Sequence, residues 1–161
     1  SNEAKVAGKA KQEIVERHYI RKRWWTQLLS NSKAKSHQHI SPNMRAYICV
    51  SAGYRGLEFN YLVGQNNCGC ELYIDRGKDS QEENKMIFDK LQLQESTINQ
   101  KINFPISWQR LESKRASRIR IDLEGGYKST EDDWGAFHEK MIDAMNELEA
   151  AVKPELKKLR L

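Results

Sequence analysis

Five short stretches of this chain alternate apolar and polar residues, and that period of two limits the fold more than any other feature. It places successive side chains on opposite faces of a strand. Ala46, Ile48 and Val50 alternate in the first stretch, Leu57, Phe59, Tyr61 and Val63 in the second, and Leu72 and Ile74 in the third. Ile106–Leu111 supplies the fourth. In Arg118–Leu123, the fifth, Ile119, Ile121 and Leu123 face one way and Arg118, Arg120 and Asp122 the other. Gly53-Tyr54-Arg55-Gly56 and Gly64-Gln65-Asn66-Asn67 are turn sequences between the first three. Links this short favour antiparallel pairing. The polar Glu112–Ser117 segment suits a hairpin loop.

Three amphipathic helices punctuate these strands. From about Lys11 to Ser30, Ile14, His18, Trp25 and Leu28 fall on one stripe. One ring of Trp24-Trp25 is expected in the core and its neighbour, about 100° around the helix, on a contact surface. Residues 30–42 read as a polar loop. Ser80-Gln81-Glu82-Glu83 has capping-box form. It opens a helix carrying Phe88, Leu91, Ile98 and Ile102, which stops before Pro105. The last helix starts near Thr130, with Asp132 and Asp133 at its positive end. Its stripe is Trp134, Phe137, Met141, Met145, Leu148 and Val152, and Pro154 marks an end or a kink. The order α-β-β-β-α-β-β-α predicts an α+β fold: a mainly antiparallel five-stranded sheet with helices packed on it. Residues 1–10 are expected to be a tag remnant, with Ser1-Asn2 as its scar, and a disordered linker. Residues 11–161 are expected to form a single domain, the C-terminal fragment of a longer protein.

Charge and cysteine usage bound the setting. The net charge is +5, and residues 1–40 hold nine Lys or Arg against three Glu. Such a stretch contacts phosphates or is a solvated helix face or linker. No apolar run approaches the roughly 20 residues of a membrane span, and no apolar leader is present. Three cysteines, Cys49, Cys68 and Cys70, read as free thiols of a cytoplasmic protein. Cys68-Gly69-Cys70 reads as a turn beside a strand, since no second pair completes a zinc site. His37 and His39 alone make a poor metal site, His18 is expected to pack on its helix stripe, and His138 is expected to be exposed. Neither a nucleotide-binding phosphate loop nor a dinucleotide fingerprint is present.

A run of short words carries a family resemblance. Cys70-Glu71-Leu72-Tyr73-Ile74 is followed by Glu83-Asn84-Lys85-Met86-Ile87-Phe88-Asp89-Lys90-Leu91, then Ser107-Trp108-Gln109-Arg110-Leu111 and Lys114-Arg115-Ala116-Ser117-Arg118-Ile119. Asp133-Trp134 then opens the last helix. In order and spacing these resemble the bacterial and archaeal domain of unknown function 4268 family, from about Arg17 to Leu159. The resemblance implies a module commonly C-terminal in longer proteins, often behind a predicted nuclease-like domain. It brings no established activity.

Two candidate sites follow. The element order is similar to the PD-(D/E)XK nuclease topology, in which paired carboxylates hold Mg²⁺ beside a scissile phosphate and a Lys stabilises charge. Glu58 and Glu71 occupy the acid-bearing strands, and Tyr73 stands where that motif has its Lys, so Lys85 on the next helix would have to substitute. The bland alternative is the solvent-facing side of an antiparallel sheet. The second candidate is a DNA- or RNA-binding surface of Arg110, Lys114, Arg115, Arg118 and Arg120, with Trp108 and Tyr73 as stacking platforms. Its alternative pairs those arginines with Glu58, Glu71 or Asp122 across strands. The leading expectation is a non-catalytic accessory domain of a DNA-processing or defence-type protein, making nucleic-acid or interdomain contacts with its missing N-terminal domain. A Mg²⁺-dependent nuclease, and a homodimerisation or docking domain using the first and last helices, are the alternatives. No other cofactor or metal is expected.

Overall fold

A computed structural model describes all 161 residues. The strands are β1 (Tyr47–Ser51), β2 (Leu57–Val63), β3 (Asn67–Ile74), β4 (Ser107–Gln109) and β5 (Ser117–Glu124). The helices are α1 (Asn2–Leu29), α2 (Gln81–Gln92), α3 (Glu95–Gln100) and α4 (Glu131–Leu159), with a 3₁₀ turn at Lys35–His37. The fold is α+β, as expected. All four strand pairings are antiparallel, in the order β1-β2-β3-β5-β4. No helix is long and apolar enough to cross a membrane.

The register separates two faces. On one, Ile48 stands beside Tyr61, Tyr61 beside Cys70 and Cys70 beside Ile121. Phe59, Leu72 and Ile119 make the adjoining row, which Trp108 completes on β4. This face belongs to one continuous apolar core. α4 packs across β2, β3 and β5, α2 packs against β3, β5 and α4, and α1 lies against α4. The helices therefore cover only this side.

Several elements depart from the periodic reading. α1 begins at Asn2: Ser1 Oγ accepts from the backbone N–H of Ala4, and Ala4, Ala7 and Ala10 favour the helix. Residues 2–10, expected as a linker, thus continue it, all of them exposed. Both Trp24 and Trp25 are buried, because α1 is gripped from two directions. Trp24 meets Trp134 and His138 on α4, whereas Trp25 Nε1 donates to the Arg45 carbonyl at 2.8 Å. His138 is buried rather than exposed, since Trp134 and His138, four residues apart on α4, share the stripe facing α1.

Further corrections concern helix ends. Ser80 makes no capping bond; its hydroxyl donates to the Gly77 carbonyl and accepts from Asn84, while Glu83 pairs with Arg76. The helix expected to run to Pro105 breaks at Leu93-Gln94, so that α3 can bring the buried Ile98 towards α4. α4 runs through Pro154 to Leu159, held by the buried Glu155 and Leu156 beyond it. Cys68-Gly69-Cys70 is not a turn but the start of β3, with both thiols in the core. Burial pushes the Cys68 thiol up to about 12 and raises Cys70 well above its ordinary value, so neither serves as a thiolate nucleophile. One turn depends on its glycine: Gly56 has φ 80°, and a Cβ there would lie 2.5 Å from the Arg76 backbone.

Candidate functional site

The other face of the sheet carries no helix. Its side chains stand in rows fixed by the register. Ser51, Glu58, Tyr73, Arg118 and Gln109 form one row. Cys49, Asn60, Glu71, Arg120 and Ser107 form the next, and Tyr47, Leu62, Gly69 and Asp122 the third. A shallow depression of about 340 Å³ lies among them, lined by Tyr47, Glu58, Asn60, Leu62, Glu71, Tyr73, Arg118 and Arg120.

The middle row is a preorganised polar network. Arg120 donates from Nε and Nη2 to Glu71 Oε1 at 3.1 and 2.7 Å. Asn60 Nδ2 donates to Glu71 Oε2 at 2.8 Å. Both carboxylate oxygens are thus engaged, and Glu71 is only 3% exposed although no helix covers it. Arg118 differs: its Nε donates to Gln109 Oε1 at 2.6 Å, and its two terminal nitrogens bond nothing in the chain. Tyr73 stands beside it, its phenol pushed upward first by burial and then by Asp75 and Glu71.

Of the residues singled out from the sequence, Glu58, Glu71, Tyr73, Arg118 and Arg120 meet on this face. The others do not. Lys85 lies on the helix side, 7% exposed, with its ammonium held by backbone carbonyls. It cannot complete a nuclease site with Glu58 and Glu71, which are diagonal neighbours on the opposite face. Arg120 already balances Glu71, so the site expected to hold Mg²⁺ is occupied by a guanidinium. Nowhere do three His, Cys, Asp or Glu side chains gather as metal ligands.

The wider basic surface is also dispersed. Arg110 grips Asp89 through two bonds of 2.9 and 3.1 Å and pairs with Glu112. Arg115 grips Asp75 through two bonds of 2.8 Å, holding that carboxyl below its usual range. Lys114 is exposed on the hairpin loop. Trp108 has core parity: it packs on Phe88 and donates from Nε1 to Asn99. Tyr47, Asn60 and Gln109 were overlooked, though the alternation of Ala46, Ile48 and Val50 already placed Tyr47 on the polar side.

A family described as a domain of unknown function, DUF4268, matches residues 20–156. The chain belongs to that family. No curated protein and no solved structure matches it. The matched span of the DUF4268 domain opens at Ile20, close to where α1 begins to pack on the core. It takes in all five strands and hence every residue of the bare face.

Proposed function

We propose that this DUF4268 domain is a non-catalytic accessory module that binds single-stranded nucleic acid on its bare sheet face. The observation carrying this reading is Arg118, whose terminal nitrogens are uncommitted beside Tyr73 on a rigid strand. A planar guanidinium with free donors takes a phosphate bidentately, and an adjacent phenol ring supplies a stacking surface for a base. The remaining side chains explain a modest affinity. Glu58 and Asp122 share the face, and Arg120 is spent on Glu71. The face therefore holds one free cation rather than a basic groove, which suits a domain that assists a larger nucleic-acid-processing protein.

Fluorescence anisotropy with a labelled mixed-sequence 12-mer tests it. Binding should be measurable at low salt and weaken as salt rises. Arg118→Ala should reduce affinity roughly tenfold and lower the salt slope by about 0.7, the contribution of one single-strand phosphate. Its melting temperature should stay unchanged, because only one hydrogen bond to Gln109 is lost. Absence of binding at low salt, or an Arg118→Ala variant that binds like the parent, removes this function.

A second reading rests on a different observation. Val6, Ile14, Val15 and Tyr19 on α1 are exposed, at 68, 44, 45 and 57%. Of these, Ile14, Val15 and Tyr19 lie within about one and a half turns of each other on the helix, and an exposed apolar cluster of this kind marks a contact surface. On this reading α1 docks a second copy or another domain. Light scattering should then show a mass that rises with concentration and falls in Val15→Glu; a monomer at all concentrations excludes self-association.

A further inference from the structure

The depression on the bare face contains a buried acceptor that nothing in the chain satisfies. Asn60 is 5% exposed, and its Nδ2 is committed to Glu71 Oε2 at 2.8 Å. That bond fixes the amide orientation, because the carboxylate accepts only from the nitrogen end. Asn60 Oδ1 is consequently shielded from solvent and receives no hydrogen bond. Nearly all buried acceptors in folded proteins are paired, so an orphan inside a concavity points to a missing donor.

The surroundings define what that donor belongs to. Tyr47 and Tyr73 stand at opposite diagonals of Asn60, one on β1 and one on β3. Gly69, diagonal to Asn60 on β3, contributes no side chain, since a Cβ there would run into the Ile121 carbonyl of β5. Tyr47, 38% exposed at the rim with Arg45 over its ring, would turn aside as a flat ring enters. A volume of about 340 Å³ accommodates one heteroaromatic ring. Arg118 lies beyond Tyr73 with its free nitrogens, where a phosphate attached to such a ring would reach.

Resting on the nucleic-acid reading above, we infer that Asn60 Oδ1 selects bases carrying an exocyclic amine, cytosine or adenine, over bases presenting a carbonyl at that position. The amine donates an N–H to Oδ1. A uracil or hypoxanthine would instead bring an oxygen against it and leave two acceptors facing each other.

Oligonucleotides that differ only on the base edge test the inference. Anisotropy at pH 7.5 would compare labelled oligo-deoxycytidine with oligo-deoxyuridine, and oligo-deoxyadenosine with oligo-deoxyinosine; each pair exchanges the amine for a carbonyl and the adjacent ring acceptor for an N–H. The amino member of each pair should bind about fivefold more tightly, the worth of one hydrogen bond. In Asn60→Ala, with a thermal melt showing that it remains folded, both ratios should fall to about one. Equal affinities within both pairs on the parent protein overturn the role of Asn60 while Arg118-dependent binding persists. No binding to any of the four oligomers overturns both readings. A preference that survives in folded Asn60→Ala assigns the selection to another residue and also overturns the inference.

Discussion

Replacing Lys85 with Met is expected to destabilise the domain by about 3–5 kcal/mol, although the side chain forms no salt bridge. Its ammonium donates to the carbonyls of Arg110, Leu111 and Ala116 at 2.6, 2.9 and 2.7 Å and lies 3.0 Å from Ser117 Oγ. Three N–H groups thus satisfy three carbonyls of the loop between β4 and β5. Burial depresses the ammonium's proton affinity, with Arg110 adding to the effect. The loop is not relaxed by itself, since Leu111 holds φ 58°, a left-handed conformation unfavourable for a branched side chain. Met fills similar space but withdraws three charge-assisted bonds, each worth roughly 1.5–3 kcal/mol before the loop relaxes towards water. The Ala116 carbonyl is left without a donor, while Ser117 Oγ still donates to Arg110 and the Lys114 N–H to Leu111. Arg should not rescue, because a planar fork cannot converge on three carbonyls around one nitrogen. Urea denaturation measures the loss. A Lys85→Met midpoint within about 1 kcal/mol of the parent would show that the loop closes without this ammonium. A folded Lys85→Met should also bind oligonucleotides less tightly, since the loop positions Gln109, which orients Arg118.

Stability is also expected to fall steeply between pH 6.5 and pH 4. His37 and His138 are both buried, and burial lowers each from 6.5 to about 4. His37 Nε2 faces the Phe59 carbonyl at 3.0 Å and must carry the proton, leaving Nδ1 to accept from Ser36. His138 sits between Trp24 and Trp134, with no partner for either ring nitrogen. Below pH 6.5 the unfolded chain takes up protons at both sites that the folded chain refuses. Stability is therefore full above the unfolded value and is lost as pH falls towards the folded one. At pH 5 each histidine should cost about 2 kcal/mol relative to pH 7.5, at 1.36 kcal/mol per pH unit. Asp75 and Asp89, both lowered by their arginine partners, extend the loss only below their ordinary range near 3.8. Urea midpoints across this range give the slope. His138→Phe should remove about half of it, and a midpoint flat from pH 7.5 to 5 would contradict the assignment.

The strands were legible because each buries one face against a single helical layer, so burial and polarity alternate with the sequence. For the same reason the meeting of Glu58, Glu71 and Arg118 on one face followed from parity. Lys85 was misjudged because a buried lysine bonded to carbonyls leaves no pattern in the sequence: its partners lie 25 to 31 residues away. Arg110 and Arg115 were read as free since their acids come from α2 and from the end of β3. Trp108 was assigned to binding on its chemistry, while its position beside Ile119 makes it a packing residue. Asn60 drew no attention because an unpaired carbonyl is visible only once every neighbour is placed.

The strict division between the two sides of the sheet makes strand length less tolerant of change than side-chain identity. On the bare side, residues can be exchanged with little loss of the helix-covered core, so related proteins can acquire new ligands by point substitution alone. Inserting one residue into β3 would do the opposite: Cys68, Cys70 and Leu72 would rotate outward as Gly69, Glu71 and Tyr73 turned inward, and folding and recognition would fail together.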